Sequence, residues 1–354
     1  MKVVAAALFS AALLFTGCSS SEEPGQEQSS AAAEQAATWT DEDVTFDADG
    51  LTIHGTYRHL ADDATGPAAL LISESGQTDR NGDNVVAGPV GNMRQLAEYL
   101  SDHGVASLRY DKIGTGATGL GPYANRPQDV GSAVYTAGAK AAINYLAAQP
   151  GTDRSQVSVY GLGEGTTHAM ALATSTDPEA PLVHSLALLQ PLTGRYLDLI
   201  TSRVRADNAA QLEAGSKTQE QADGVLAAWL GAVDQVRKDG TLPPGQLPDG
   251  LSAILNPGNV KAVAEQDAID PLALAASVPN GTPVLLTCSD SDGQASCTDV
   301  RPLADALKHT DLTLVELKGV NHVLRDDPSD NVANYASGAP LSSQLTDALD
   351  GFVR

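Results

Sequence analysis

The stretch Val159–His168 reads VYGLGEGTTH. A β-rich run, QVSVY, enters a glycine-dense turn, and the small-residue helix TTHAMALATS leaves it. Chains use this strand–turn–helix arrangement to present one attacking side chain at the tip of a sheet, in the pattern G-x-S-x-G. Here the middle position is Gly163, so the turn offers no nucleophile of its own. Thr166 and Thr167 lie in the first turn of the following helix, about one helical turn from the tip, where a hydroxyl serves as a cap or packs beneath the turn. His168 is expected to be a packed or hydrogen-bonded helix residue. The glycines read G-x-G-x-G, which lacks the spacing of a dinucleotide fingerprint. No cofactor is expected, and the His spacing suggests no metal site.

Elements must position that turn, and the chain supplies them in alternation. VTFDADG and LTIHGTYRHL alternate with period two and meet at Asp49-Gly50, a hairpin signal. AALLISES is a continuous apolar run, as in a strand covered on both faces. GNMRQLAEYLSDHG carries an apolar stripe at Met93, Leu96, Ala97 and Leu100 and reads as a helix. Strand-like and helix-like segments then alternate to the end of the chain, which predicts an α/β fold with a mostly parallel sheet and helices on both faces. The alternation is interrupted at about 193–280 by helical segments and the Pro-rich TLPPGQLPDG. This insertion is expected to form a helical cap over the carboxyl edge of the sheet, where open α/β sheets bind ligands.

Composition narrows the partners. With 21 basic and 44 acidic residues the formal charge is −23, a sign that repels phosphate backbones and excludes nucleic acid as an expected partner. Lys2 precedes the apolar run VVAAALFSAALLFT, long enough for a signal peptide and short for a membrane span. The run ends in Phe15-Thr16-Gly17-Cys18, which resembles a bacterial lipobox; Phe15 departs from the commoner Leu. The resemblance implies a signal peptide over 1–17, acylation of Cys18 and an exported protein anchored by lipid to the outer face of the cell membrane. The polar segment 18–40 cannot bury enough apolar surface to offset its ordering entropy and is expected to be a flexible tether, ahead of a domain over 41–354. Cys288 and Cys297, nine apart, are expected to form a disulfide outside the cytoplasm.

Four stretches in order resemble the α/β-hydrolase superfamily, in its bacterial esterase and peptidase-like branch. SGQTDRNG (Ser75–Gly82) is similar to that branch's GSGPTDRNG loop, LRYDKIGTGAT (Leu108–Thr118) to its LRYDKRGxGxS segment, and Gly319-Val320-Asn321-His322 to its terminal G-x-N-H. Asp292-Gly293-Gln294 stands in its D-x-Q setting. The resemblance covers roughly Val44 to Arg354 and implies an α/β-hydrolase fold. It assigns His322 as the proton carrier and Asp292 as the acid orienting it, with Asp290 as the runner-up.

The same alignment exposes departures from the family. Gly163 cannot form an acyl-enzyme, Leu162 stands where the branch often has His, and Glu164 follows the missing Ser. Glu74 takes the place of the first glycine of GSG. With Ser75 and Gly76 it belongs to the loop that aims backbone N–H groups at developing negative charge. Turned inward, its carboxylate opposes that charge; turned outward, it is a surface residue.

Three functions follow. A nucleophile-deficient relative would bind an ester-, acyl- or peptide-like ligand, with room for a water where the serine oxygen is absent. An active hydrolase would use water activated by His322 and Asp292. An interaction protein would use the cap surface.

Overall fold

The computed structural model describes residues 38–62 and 64–353. The expected signal peptide (1–17), Cys18 and most of the expected tether lie outside the described residues.

β1 (Trp39–Ala48) and β2 (Leu51–Leu60) form the expected hairpin. Asp49 and Gly50 both have positive φ, 52° and 84°, the combination whose twist matches a two-residue hairpin. Trp39 and Thr40 pair with Leu60 and His59, so the first strand begins two residues inside the segment expected to be tether. β3 (Gly66–Ile72), α1 (Asn92–Asp102), β4 (Ala106–Tyr110), α2 (Ser132–Ala147), β5 (Thr152–Leu162), α3 (Gly165–Ala173) and β6 (Leu186–Leu189) follow. The interruption contains α4 (Tyr196–Glu213), α5 (Gln219–Asp239), α6 (Val260–Ala268) and α7 (Pro271–Ser277). β7 (Pro283–Ser289), α8 (Cys297–Ala306), β8 (Asp311–Leu317) and α9 (Ser343–Asp350) complete the chain.

Among the described residues these strands form one eight-stranded sheet in the order β1-β2-β4-β3-β5-β6-β7-β8. β1, β2 and β4 pair antiparallel, and every pairing from β4 through β3 to β8 is parallel. Parallel strands need both faces covered. One face packs α2, α3, α7 and α8 through Ala139, Met170, Ala275 and Val300. The other packs α1 and α9 through Met93, Leu96, Leu345 and Leu349. α4, α5 and α6 share a smaller core around the fully buried Trp229, whose indole N–H donates to Thr201 Oγ1 at 2.9 Å.

The chain steps from β3 to β4 on one side and then to β5 on the other. The carboxyl ends of β3, β5, β7 and β8 therefore open along one edge, the place where such sheets form a crevice. Glu74, Gly163, Asp292 and His322 follow those four strands, in that order.

Candidate active site

The turn after β5 is as tight as its glycines suggest. A Cβ at Gly161 would lie 2.5 Å from the Gly165 carbonyl carbon, and one at Gly165 would lie 2.3 Å from the Ile72 oxygen. Both glycines are steric requirements of a helix leaving its strand against β3. Gly163 between them has φ 54°. Thr166 Oγ1 donates to the Gly163 carbonyl at 2.6 Å and is fully buried, so it closes the turn and does not face the crevice. His168 is buried on α3, its ring stacked on Tyr135.

Glu74 turns inward. The ideal Cβ position of residue 163 stands 1.5 Å from Glu74 Oε2, so the carboxylate fills the space that a nucleophilic side chain would need. The room expected for a water beside Gly163 is taken by this group. Glu74 Oε1 accepts hydrogen bonds from Ser75 N at 2.5 Å and Glu164 N at 3.3 Å. These are the backbone donors in the loop after β3 and just past the turn, positions that stabilise a substrate oxyanion when a serine attacks. Here the protein's own carboxylate occupies them.

His322 sits between two carboxylates. Its Nδ1 is 2.8 Å from Asp292 Oδ2 and its Nε2 is 2.7 Å from Glu74 Oε2. An ionised carboxylate can only accept, so with both carboxylates charged each ring nitrogen carries a proton and the imidazole is a cation. Burial by itself opposes that charge. The Asp292 and Glu74 charges and hydrogen bonds outweigh it and raise the His322 pKa to about 10. Burial likewise pushes Glu74 upward, but the His322 charge and its hydrogen bonds win and hold it at about 2. Asp290, the alternative acid, is exposed and accepts from Gly319 N at 2.8 Å, away from the imidazole.

Supporting residues hold this cluster in place. Asp292 Oδ1 accepts from Gln294 N at 2.7 Å and Ala295 N at 3.1 Å. The Cys288–Cys297 disulfide closes the loop that carries Asp292. Asp330 accepts from Gly293 N at 3.0 Å, His322 N at 2.9 Å and the Tyr335 hydroxyl at 2.6 Å, tying the acid loop to the histidine loop. The buried Lys112 donates to the backbone oxygens of Ser73 and Glu74. Its neighbour Asp111, also buried, accepts from Arg80 N and Ala117 N at 3.0 and 2.8 Å. Asp330 escaped the sequence reading because nothing in DDPSDN marks one Asp above another. Lys112 was within reach, since RYDK is part of a recognised stretch and a Lys directly after a buried strand needs partners.

A cavity of about 370 Å³ opens beside Glu74 and His322. Leu162, Val85, Val86, Val323, Val332 and Tyr335 give it an apolar wall, with Gln77, Asn84 and Gln294 adding polar groups. Its walls come from the loops after β3, β7 and β8, with Asn92 at the start of α1 and Leu162 at the end of β5, and none comes from the helical segment at 193–280. Val85 and Val86 are more than 80% exposed, an unusual state for adjacent valines that places them as an apolar rim. A larger groove of about 810 Å³ between the β1–β2 turn and α2 brings no comparable set of hydrogen-bonded ionisable groups together. Among the described residues no group of His, Cys, Asp and Glu could hold a metal ion.

Solved structures share this fold. An esterase from Pyrococcus furiosus, Pf2001, superposes with a TM-score of 0.53 at 15% identity, over 90% of this chain and 92% of that one. The α/β hydrolase GrgF from a Penicillium species gives 0.52 at 18% identity, over 89% and 98% of the two chains. Est1E from Butyrivibrio proteoclasticus, solved with ferulic acid bound, gives 0.52 at 18%, over 83% and 96%. This chain has the α/β-hydrolase fold. No family model matches the sequence, and no curated protein matches it. At such identities the likeness is one of fold, and the chemistry rests on the residues in the crevice.

Proposed function

We propose that this chain is an exported, lipid-anchored member of the α/β-hydrolase superfamily that binds a neutral ligand with an apolar body, ester- or acyl-like in outline. It forms no acyl-enzyme at residue 163. One observation carries the reading: the Glu74 carboxylate stands 1.5 Å from where a side chain at 163 would begin and takes both backbone donors of the crevice. A substrate carbonyl therefore finds neither an attacking group at 163 nor free donors for its oxygen. Glu74, His322 and Asp292 together carry a net charge of −1, which disfavours an anionic ligand at the cavity floor. Water activation on an incoming ester is disfavoured as well, because His322 is protonated on both nitrogens and has no lone pair to accept a proton.

The test combines binding and labelling. Nile red, a neutral apolar dye, is expected to bind at one equivalent, and Val85→Asp/Val86→Asp is expected to weaken it at least tenfold. A fluorophosphonate probe should leave the protein unlabelled, and p-nitrophenyl butyrate should not be hydrolysed above background. Labelling of any serine or threonine, or ester turnover lost in His322→Ala, would overturn the reading.

A further inference from the structure

We propose that the crevice recognises its ligand through a hydroxyl group on an apolar chain, which donates its proton to the Glu74 carboxylate. The inference rests on the reading above, a neutral apolar ligand held without acyl transfer, and it names that ligand's polar end.

Among the described residues, the proton-bearing groups at the cavity floor already have acceptors within the protein. Ser75 N and Glu164 N donate to Glu74 Oε1 at 2.5 and 3.3 Å. His322 faces Glu74 with Nε2 at 2.7 Å and Asp292 with Nδ1 at 2.8 Å. The Ser75 hydroxyl lies against the same carboxylate and helps hold it ionised. The Thr78 and Tyr335 hydroxyls donate to the Ser75 carbonyl at 2.8 Å and to Asp330 Oδ1 at 2.6 Å. What the floor offers a ligand is therefore lone pairs. Glu74 Oε2 accepts from His322 Nε2 and keeps a second lone pair. The Glu74 side chain lines the cavity and retains 19% exposure, whereas the His322 side chain is buried.

That polarity selects among oxygen-bearing ligands. A carbonyl or ether oxygen would set its own lone pairs against a carboxylate, and the apolar body behind it would cover that carboxylate without replacing its water. A buried acceptor left unmet penalises such a ligand. Gln77 is exposed and Asn84 and Gln294 are half-buried, so water competes for their amide N–H groups. An ammonium would reach Oε2 only beside the imidazolium, whose Nε2 is 2.7 Å from the same oxygen. An amide N–H would bring a carbonyl that needs a donor of its own. A hydroxyl brings one donor and a small acceptor load, and a hydrogen bond to a charged acceptor is of the stronger kind. Its chain then lies along Leu162, Val85, Val86 and Val323.

Displacement of Nile red from the full chain tests this with two isomers, 1-octanol and heptyl methyl ether, which differ in whether the oxygen carries a proton. Octanol should displace the dye at a concentration at least about tenfold lower than the ether. In nitrogen NMR of the wild type the His322 Nε2 signal should move with octanol and not with the ether. Equal potency, preference for the ether, no displacement by octanol while the dye is bound, or an unmoved Nε2 signal at saturation overturns the proposal and leaves the binding reading intact. In Glu74→Gly the acceptor is gone and two backbone donors are released, so octanol's advantage should fall below about threefold. A folded variant that keeps the advantage overturns the proposal; if it does not fold, the wild-type displacement and Nε2 signal decide. Tighter binding of octylammonium than of octanol would overturn the proposal together with the neutral-ligand reading. Fluorophosphonate labelling, or no binding of Nile red, would sink the binding reading itself.

Discussion

Restoring a serine at residue 163 tests whether Glu74 fills the crevice. The Cβ of Gly163→Ser falls 1.5 Å from Glu74 Oε2, 2.3 Å from Cδ and 2.5 Å from Oε1, so the carboxylate must leave. Breaking one side of a buried ion pair costs about 3–5 kcal/mol. The lower end applies here, because His322 keeps Asp292 and the Glu74 side chain retains 19% exposure. A side chain at φ 54° adds about 1–2 kcal/mol. Gly163→Ser should therefore cost about 4–5 kcal/mol, a Tm drop on the order of 6–8 °C for a domain of this size. Glu74→Gly alone loses the same contacts, about 3 kcal/mol. In the double variant those contacts are lost once, so it should be about 3 kcal/mol more stable than the sum of the singles. Urea melts of the wild type and the three variants measure this coupling, with p-nitrophenyl butyrate hydrolysis followed in parallel. Esterase activity is expected in the double variant, which has a hydroxyl beside His322 and free donors, and not in Glu74→Gly. Additive stabilities, within about 0.5 kcal/mol, would refute the claim that one space is contested by both side chains.

Three further outcomes follow from the same contacts. The folded-state pKa of His322 is raised, so its contribution to stability is complete below its ordinary 6.5 and is lost as pH rises through about 10. Glu74 is lowered, so its contribution is complete above its ordinary 4.5 and is lost as pH falls toward about 2. The stability difference between wild type and Glu74→Gln should thus be largest between those two ordinary values, and nitrogen NMR should show a His322 imidazolium at neutral pH; a neutral ring there contradicts the geometry. Replacing Cys288 and Cys297 together by Ala should cost about 2–3 kcal/mol from loop entropy, read by urea melts. Asp330→Ala leaves two backbone N–H groups and the Tyr335 hydroxyl without their acceptor. A loss of about 1–3 kcal/mol is expected, with broadened His322 ring signals; sharp, unshifted signals would remove Asp330 from any positioning role.

The alternation of strands and helices, the Asp49-Gly50 hairpin and the glycine turn were legible because each is written in local spacing. A period of two, an apolar run or a pair of left-handed residues acts within a few positions of itself. The sheet order β2-β4-β3-β5 was not legible, since the sequence says that strands exist and not which neighbour each one takes. The cavity likewise follows from segments far apart in the sequence meeting at one sheet edge, and the insertion at 193–280 supplies none of its lining residues.

The sequence by itself determined the absence at the turn, because a missing side chain is a fact of composition that no folding can alter. It also placed His322 and Asp292 after the strands that carry them. Only the tertiary structure decided what fills the vacancy. Glu74 takes its inward pose from Glu164, 90 residues along, and from His322, 248 residues along. A carboxylate turns inward only where N–H donors and a cation repay its desolvation, and the parallel sheet brings those groups to one edge.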